Sequence, residues 1–72
     1  MSEKTLGENR VRTSFNASND STVQHIKERA AEFINYVNDN IEANDGEVAR
    51  LKSLAFTSIE EAAMWAVKAA TS

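Results

Sequence analysis

The chain has no cysteine and a single histidine, His25. Disulfides and thiolate metal sites are therefore excluded, and one imidazole cannot by itself supply the nitrogen and sulfur ligands of a zinc site. Long apolar runs are missing too. Nothing approaches the roughly 20 consecutive apolar residues of a membrane span, and Met1-Ser2-Glu3-Lys4 leads into no signal-peptide core, so a soluble, cytoplasmic chain is expected. With 26% charged residues and a net charge of -3, a duplex DNA or RNA partner held by phosphate neutralisation is disfavoured, as is a polybasic membrane anchor. A small anionic ligand is not, because it needs a few convergent donors rather than a basic stripe.

The motifs of catalysis are absent as well. No nucleophile elbow, phosphate-cradling glycine loop, metal-binding spacing or EF-hand loop occurs. Glu60 and Glu61 are adjacent, which on a helix sends them to different sides, and His25 has no evident partner to orient it as a base. The sequence points to a non-enzymatic protein with no cofactor and no metal. Two classes stay open: a binding module, or a structural or regulatory helical oligomer with no small-molecule ligand.

What the chain does have is helical periodicity, above all from Glu47 to Ala70. At 100° per residue Leu51, Ala55, Ser58, Ala62, Trp65 and Ala69 fall on one stripe, widened by Val48, Leu54 and Ala66, and the rest of the chain is expected to pack on it. Phe56, Ile59, Ala63 and Val67 form a second apolar flank away from the Leu51 line. One partner helix cannot cover both. Along a further edge Arg50, Ser53, Thr57 and Lys68 recur at helical spacing, placing two cations and two hydroxyls where an anion could be held.

Upstream, Ser21-Thr22-Val23-Gln24 has the capping-box pattern, and Asp20 would serve nearly as well as N-cap, so a helix begins here. Val23, Ile26, Ala30, Phe33, Ile34, Val37 and Ile41 then recur at three- and four-residue steps, a stripe running to about Asn40. Lys27 lies on the shoulder of that stripe. It is either a snorkelling lysine that covers apolar surface or an ammonium at an interface rim, aimed at an anion. Asn38 to Gly46 is the one break, and Asn44 or Asp45 caps the next helix.

Residues 1–20 are polar, with Leu6, Val11 and Phe15 as the sizeable apolar anchors, and read as an arm ordered by contact. Within it Arg10-Val11-Arg12-Thr13-Ser14-Phe15-Asn16 puts two guanidinium groups and a lone Phe on a segment with no core of its own. Phe15 either tacks the arm down or stacks on a nucleobase, an interaction worth roughly 1–3 kcal/mol per base.

The expected fold is all-α and a single domain: an N-terminal arm or short helix over residues 1–20, then an antiparallel two-helix hairpin over residues 21–72. At 72 residues one core rarely supplies more than roughly 3–5 kcal/mol, and no covalent staple exists, so oligomerisation is the remaining way to bury enough surface. The Phe56–Val67 flank is then expected to be the oligomer interface. Trp65 is expected to be buried, in that assembly or in an ordinary intrachain core.

The run Lys52-Ser53-Leu54-Ala55-Phe56-Thr57-Ser58-Ile59-Glu60-Glu61-Ala62-Ala63-Met64-Trp65-Ala66 resembles the signature of the phage anti-CBASS cyclic-nucleotide sponges of the second type. The match falls on Ser53, Leu54, Ala55, Thr57, Ile59, Glu60, Ala62, Met64, Trp65 and Ala66, and the Arg10–Asn16 segment looks like that family's N-terminal segment. The resemblance implies a compact homohexamer in the host cytoplasm that sequesters cyclic dinucleotides such as 3′,3′-cGAMP, made by host CBASS cyclases, without cleaving them. It also implies a separate site for cyclic trinucleotides.

By position, the resemblance makes Phe15 the aromatic that stacks on a base, with Arg12 and Asn16 beside it in the same segment. Lys27 is then the first-helix cation facing phosphate, and Ser53 with Thr57 the hydroxyl pair on the second helix. Arg50 and Lys52 are the nearest cations to that pair; Arg50 shares its edge and is preferred. Where typical members carry Tyr this chain has Phe, which keeps stacking and gives up a phenol hydrogen bond.

Overall fold

The structure, a computed structural model, describes residues 4–12 and 20–72. It consists of three helices: α1, Leu6–Val11; α2, Ser21–Asn40; and α3, Gly46–Ala70. There is no strand among the described residues. The two long helices form the hairpin, and their ends are set by carboxylate caps. The Asp20 side chain accepts from Thr22 N–H at 2.7 Å, so the aspartate rather than Ser21 is the N-cap of α2. Asp45 accepts from Val48 N–H at 2.9 Å and caps α3. Each cap satisfies one of the four amide groups that a helix N-terminus leaves without a partner.

The turn between α2 and α3 is closed by Lys52. Its ammonium donates to the Ile41 carbonyl at 2.5 Å and to the Asn38 carbonyl at 3.4 Å, placing a positive charge on the unpaired carbonyls at the C-terminal end of α2. At the far end of the hairpin Ile26 of α2 faces Ala66 of α3 across a shallow groove, so the two helices run antiparallel.

The core reverses the expected orientation of α3. Phe56 and Ala63 are its buried residues, and Phe56 packs with Ile34 and Val37 of α2, with Leu6, Val11 and Ile59 around them. The flank expected to be the oligomer interface is thus the intrachain face. The stripe on which the rest of the chain was expected to pack is open instead: Leu51, Leu54 and Trp65 are each about half exposed. Trp65 is not part of an intrachain core. Its indole N–H faces Glu61 at 3.4 Å and its ring lies 5.7 Å from the Lys68 ammonium. The reason is shape: Phe56 and Ile59 bring aromatic and branched bulk to one side, which Ile34 and Val37 of α2 receive.

On α2 the stripe is rotated in the same sense. Val23, Ala31, Ile34 and Val37 are buried, whereas Phe33 and Ile41 are exposed. Within the described part of the N-terminal arm lies a six-residue helix, the second of the two forms expected for it. Thr5 and Glu8 form a capping box, with the Thr5 hydroxyl accepting from Glu8 N–H and the Glu8 carboxylate accepting from Thr5 N–H at 2.9 Å. Alone, six residues would not stay helical. Gly7 lets α1 lie directly on the Ala31 backbone, and Asn35 clamps it from α2, accepting from Gly7 N–H at 2.7 Å and donating to the Thr5 hydroxyl at 2.9 Å.

Candidate functional site

The C-terminal end of α1 meets both long helices at a groove of about 380 Å³, lined by Arg10, Val11, Arg12, Lys27, Glu60, Ala63, Met64 and Val67. Its lining is divided by chemistry. Val11, Ala63, Met64 and Val67 make an apolar floor, and three cations with one carboxylate stand around it. The volume falls in the roughly 300–1,000 Å³ range of small-molecule sites.

Each cation is held by a different device. Lys27 is half-buried on α2, and its ammonium reaches the Arg12 carbonyl at 3.5 Å. Both readings of Lys27 thus describe part of its geometry: the stem covers apolar surface and the head stands at a rim. Arg12 is the C-cap of α1 and adopts the left-handed conformation, φ 57° and ψ 55°. It is the one non-glycine residue with positive φ among those described. A β-carbon there costs on the order of 1 kcal/mol, which is why glycine or asparagine is usual at such caps. Arg10 donates from Nη2 to Glu60 Oε2 at 2.6 Å, and its guanidinium carbon lies 5.3 Å from the Phe56 ring centroid.

Of the residues expected to bind ligand, the structure brings Arg12 and Lys27 together at this groove. Phe15 and Asn16 lie outside the described residues, in the segment that leaves Arg12. Arg50, Ser53 and Thr57 lie elsewhere, exposed on the N-terminal half of α3. From Arg50 to Met64 is 14 residues, about 21 Å along the helix, so Arg50 stands well away from the groove, whereas Thr57 is within one turn of Glu60 in its lining. Thr57 uses its hydroxyl hydrogen on the Ser53 carbonyl at 3.1 Å, leaving oxygen lone pairs outward. Lys52 is engaged with the end of α2, as described above, and His25 is exposed.

Sequence reasoning did not assign roles to Arg10, Glu60 or Met64 at this groove. A signal for Glu60 was present: at 100° per residue it lies about 40° from Phe56, on the edge of the flank that turns inward. For Arg10 no periodicity exists to read, because α1 is under two turns long.

A second cavity lies on the other side of α1, lined by Thr5, Glu8, Gln24, Glu28, Ala31, Glu32 and Asn35. Its charges are acidic. The backbone and side chain of Thr5 hold Glu8 below the ordinary carboxylate value. No group of His, Asp or Glu side chains suited to a metal ion occurs among the described residues, and no helix there is long and apolar enough to cross a membrane.

Searches of curated proteins and of solved structures return no match. The family described as "Acb2/Tad1, hairpin domain" matches residues 7–71. That span begins at the glycine on which α1 seats and ends one residue past α3, so it takes in the short helix, the groove and the whole hairpin; the chain belongs to the Acb2/Tad1 hairpin-domain family.

Proposed function

We propose that this protein is a phage anti-immune sponge that binds cyclic dinucleotides made by host CBASS cyclases, and cyclic trinucleotides at a separate site, and releases them unchanged. The observation that carries the reading is the groove at the end of α1, an apolar floor ringed by Arg10, Arg12 and Lys27. It joins the two chemistries that a nucleotide offers. Phosphate takes Arg12 and Lys27, Arg10 being held by Glu60, and a base takes the apolar floor of Val11, Met64 and Val67. Arg12 leads into the segment that carries Phe15 and Asn16, so an aromatic ring lies within three residues of the groove and can stack on the base.

The second site is assigned to Arg50, Ser53 and Thr57. Arg50 is preferred over Lys52 for phosphate because the Lys52 ammonium already serves the Asn38 and Ile41 carbonyls. The hydroxyls suit a position near a symmetry axis, where copies from several subunits can donate to one ligand without converging bare cations, Thr57 by turning its hydroxyl away from the Ser53 carbonyl.

Both sites call for a homo-oligomer, and we assign a hexamer in the host cytoplasm. The exposed stripe of Leu51, Leu54 and Trp65, with Phe33 and Tyr36 on α2, is the apolar surface that self-association would bury. Symmetry also multiplies a sparse set of cations, which is how a chain of net charge -3 can hold an anion. Nanomolar affinity corresponds to about −12 kcal/mol, beyond the reach of exposed ion pairs, so stacking and burial between subunits must supply most of it.

The test is a calorimetric titration over a panel of 3′,3′-linked cyclic dinucleotides and cyclic trinucleotides, with sedimentation equilibrium on the same sample. The expected result is an oligomer near six subunits, saturable heat, and intact cyclic ligand on denaturation. A folded oligomer that takes up no ligand would support the alternative, a structural or regulatory helical oligomer. A linear product would restore the enzymatic reading.

A further inference from the structure

From the contacts of α1 we infer that the Arg10–Glu60 pair is a latch that sets the ligand affinity of the groove by positioning, rather than by touching the ligand. The inference rests on the dinucleotide reading of that groove. Its observations are separate: a short helix, one ion pair and one strained cap.

α1 lies mainly on α2 and meets α3 less, where Leu6 and Val11 pack on the cluster that holds Phe56 and where Arg10 reaches Phe56 and Glu60. What α3 offers there is a grip on one guanidinium. Phe56 and Glu60 are four residues apart, hence one turn apart on the same face, and Arg10 is held between the Phe56 ring and the Glu60 carboxylate. Two residues further on, Arg12 turns into its left-handed cap, and the Arg12 carbonyl accepts from Lys27 of α2. The route from α3 through Arg10 and Arg12 to Lys27 closes a triangle around the groove. If Arg10 lets go, Arg12 is held from α1 only by its own N–H on the Glu8 carbonyl and by the packing of Val11, and a strained cap at the end of a six-residue helix is the first part to relax.

The grip is single-pronged. One N–H of the guanidinium meets one carboxylate oxygen, and Arg10 Nε is buried without a partner. Both side chains remain about one-third exposed, so the pair contributes little to global stability. Its effect is local.

The decisive variant is Glu60→Gln, because two accounts predict opposite signs. If Glu60 were only a charge beside the ligand, removing a negative charge from a site for an anion would tighten binding. The latch predicts weaker binding: about tenfold for a cyclic dinucleotide such as 3′,3′-cGAMP, measured by calorimetry on the full chain. Arg10→Gln should weaken it similarly, the double variant Arg10→Gln/Glu60→Gln should be no worse than either single one, and the exchange Arg10→Glu/Glu60→Arg should recover most of the affinity. Cyclic trinucleotide affinity and oligomer mass should stay unchanged throughout, which a general loss of structure would not allow. Amide exchange from Asn9 to Arg12 should quicken about tenfold in Glu60→Gln.

Tighter or unchanged dinucleotide binding by Glu60→Gln, with Asn9–Arg12 still protected, overturns the latch. If the wild-type chain binds no cyclic nucleotide, the functional reading and the affinity claim both fall. Amide exchange then still decides the docking role: quickened exchange in Glu60→Gln upholds it, and unchanged exchange removes it.

Discussion

Substituting Gly7 by alanine tests whether α1 is built into the fold or merely rests on it. A β-carbon at Gly7 would overlap the Ala31 carbonyl oxygen and come within 2.7 Å of its carbonyl carbon and 2.8 Å of its α-carbon. All three atoms are backbone in the middle of α2, so the neighbour cannot give way, and α1 must move instead. Overpacking of this kind costs typically about 1–3 kcal/mol. Displacement also strains the 2.7 Å bond from Gly7 N–H to Asn35, worth about 1 kcal/mol. Against this, alanine is favoured over glycine in a helix interior by about 0.8–1.0 kcal/mol. The net is about 1–3 kcal/mol against docking, roughly a 5- to 150-fold shift toward the undocked arm.

Because α1 is short and α2 with α3 share the Ile34–Val37–Phe56 contacts, the cheap response is release of the arm and not unfolding of the hairpin. Gly7→Ala should therefore keep its long-helix circular dichroism, lose amide protection over Leu6–Val11, become susceptible to trypsin after Arg10 and Arg12, and bind cyclic dinucleotide weakly. An alanine variant with α1 protected as well as in the wild type would refute the close-approach argument. A gain in stability would show that propensity outweighs the contact.

Two further outcomes follow from the same helix. Arg12→Gly removes the left-handed strain at the cap and should stabilise α1 by up to about 1 kcal/mol while weakening dinucleotide binding, so thermal melts and titrations should move in opposite senses; a variant that loses both would show that the Arg12 side chain holds the fold. Glu8 is held below its ordinary value of 4.5 by Thr5, first through the backbone N–H and then through the hydroxyl. A depressed folded value means that this stabilisation is complete above the unfolded value and is lost as pH falls through the folded one. Amide exchange in α1, corrected for intrinsic rates, should therefore rise below about pH 4.5 before α2 and α3 respond, and Glu8→Gln should abolish that step.

The hairpin was legible in the sequence because its signals are local and repeated. Asp20 and Asp45 sit where caps belong, and the apolar steps from Val23 to Val37 and from Val48 to Val67 count out two helices. What periodicity could not decide is which of two apolar flanks of α3 turns inward. The Leu51 and Phe56 lines are both helical in spacing, and the choice depends on how Phe56 and Ile59 fit against Ile34 and Val37 of another element. The capping box of Thr5 and Glu8 has the same pattern as those that announce longer helices, yet it precedes no apolar run. The arm is a helix only because Gly7, Asn35 and Ala31 meet, and two of those three residues lie beyond position 30. At the candidate site Lys27 stood out as a cation off the polar face and Arg12 as a guanidinium on a segment with no core of its own, whereas the pairing of Arg10 with Glu60 joins residues fifty positions apart.

The position of α1 also accounts for how an acidic chain can offer a cationic groove. Glu8, Glu28 and Glu32 line the cavity on one side of the helix, and Arg10, Arg12 and Lys27 line the groove on the other with Glu60 as the single carboxylate. Three cations against one carboxylate leave the groove at +2 while the chain as a whole is at -3. At physiological ionic strength charges farther apart than about 8 Å are largely screened when exposed, so a ligand in the groove responds to the near set and little to the total. Glu60 lies within that near set, but it is bound to Arg10, and the same contact that offsets one positive charge fixes the helix that carries the next. A compact anion in the groove therefore meets the near set alone, whereas an extended one that crossed both sides of α1 would meet Glu8, Glu28 and Glu32 as well.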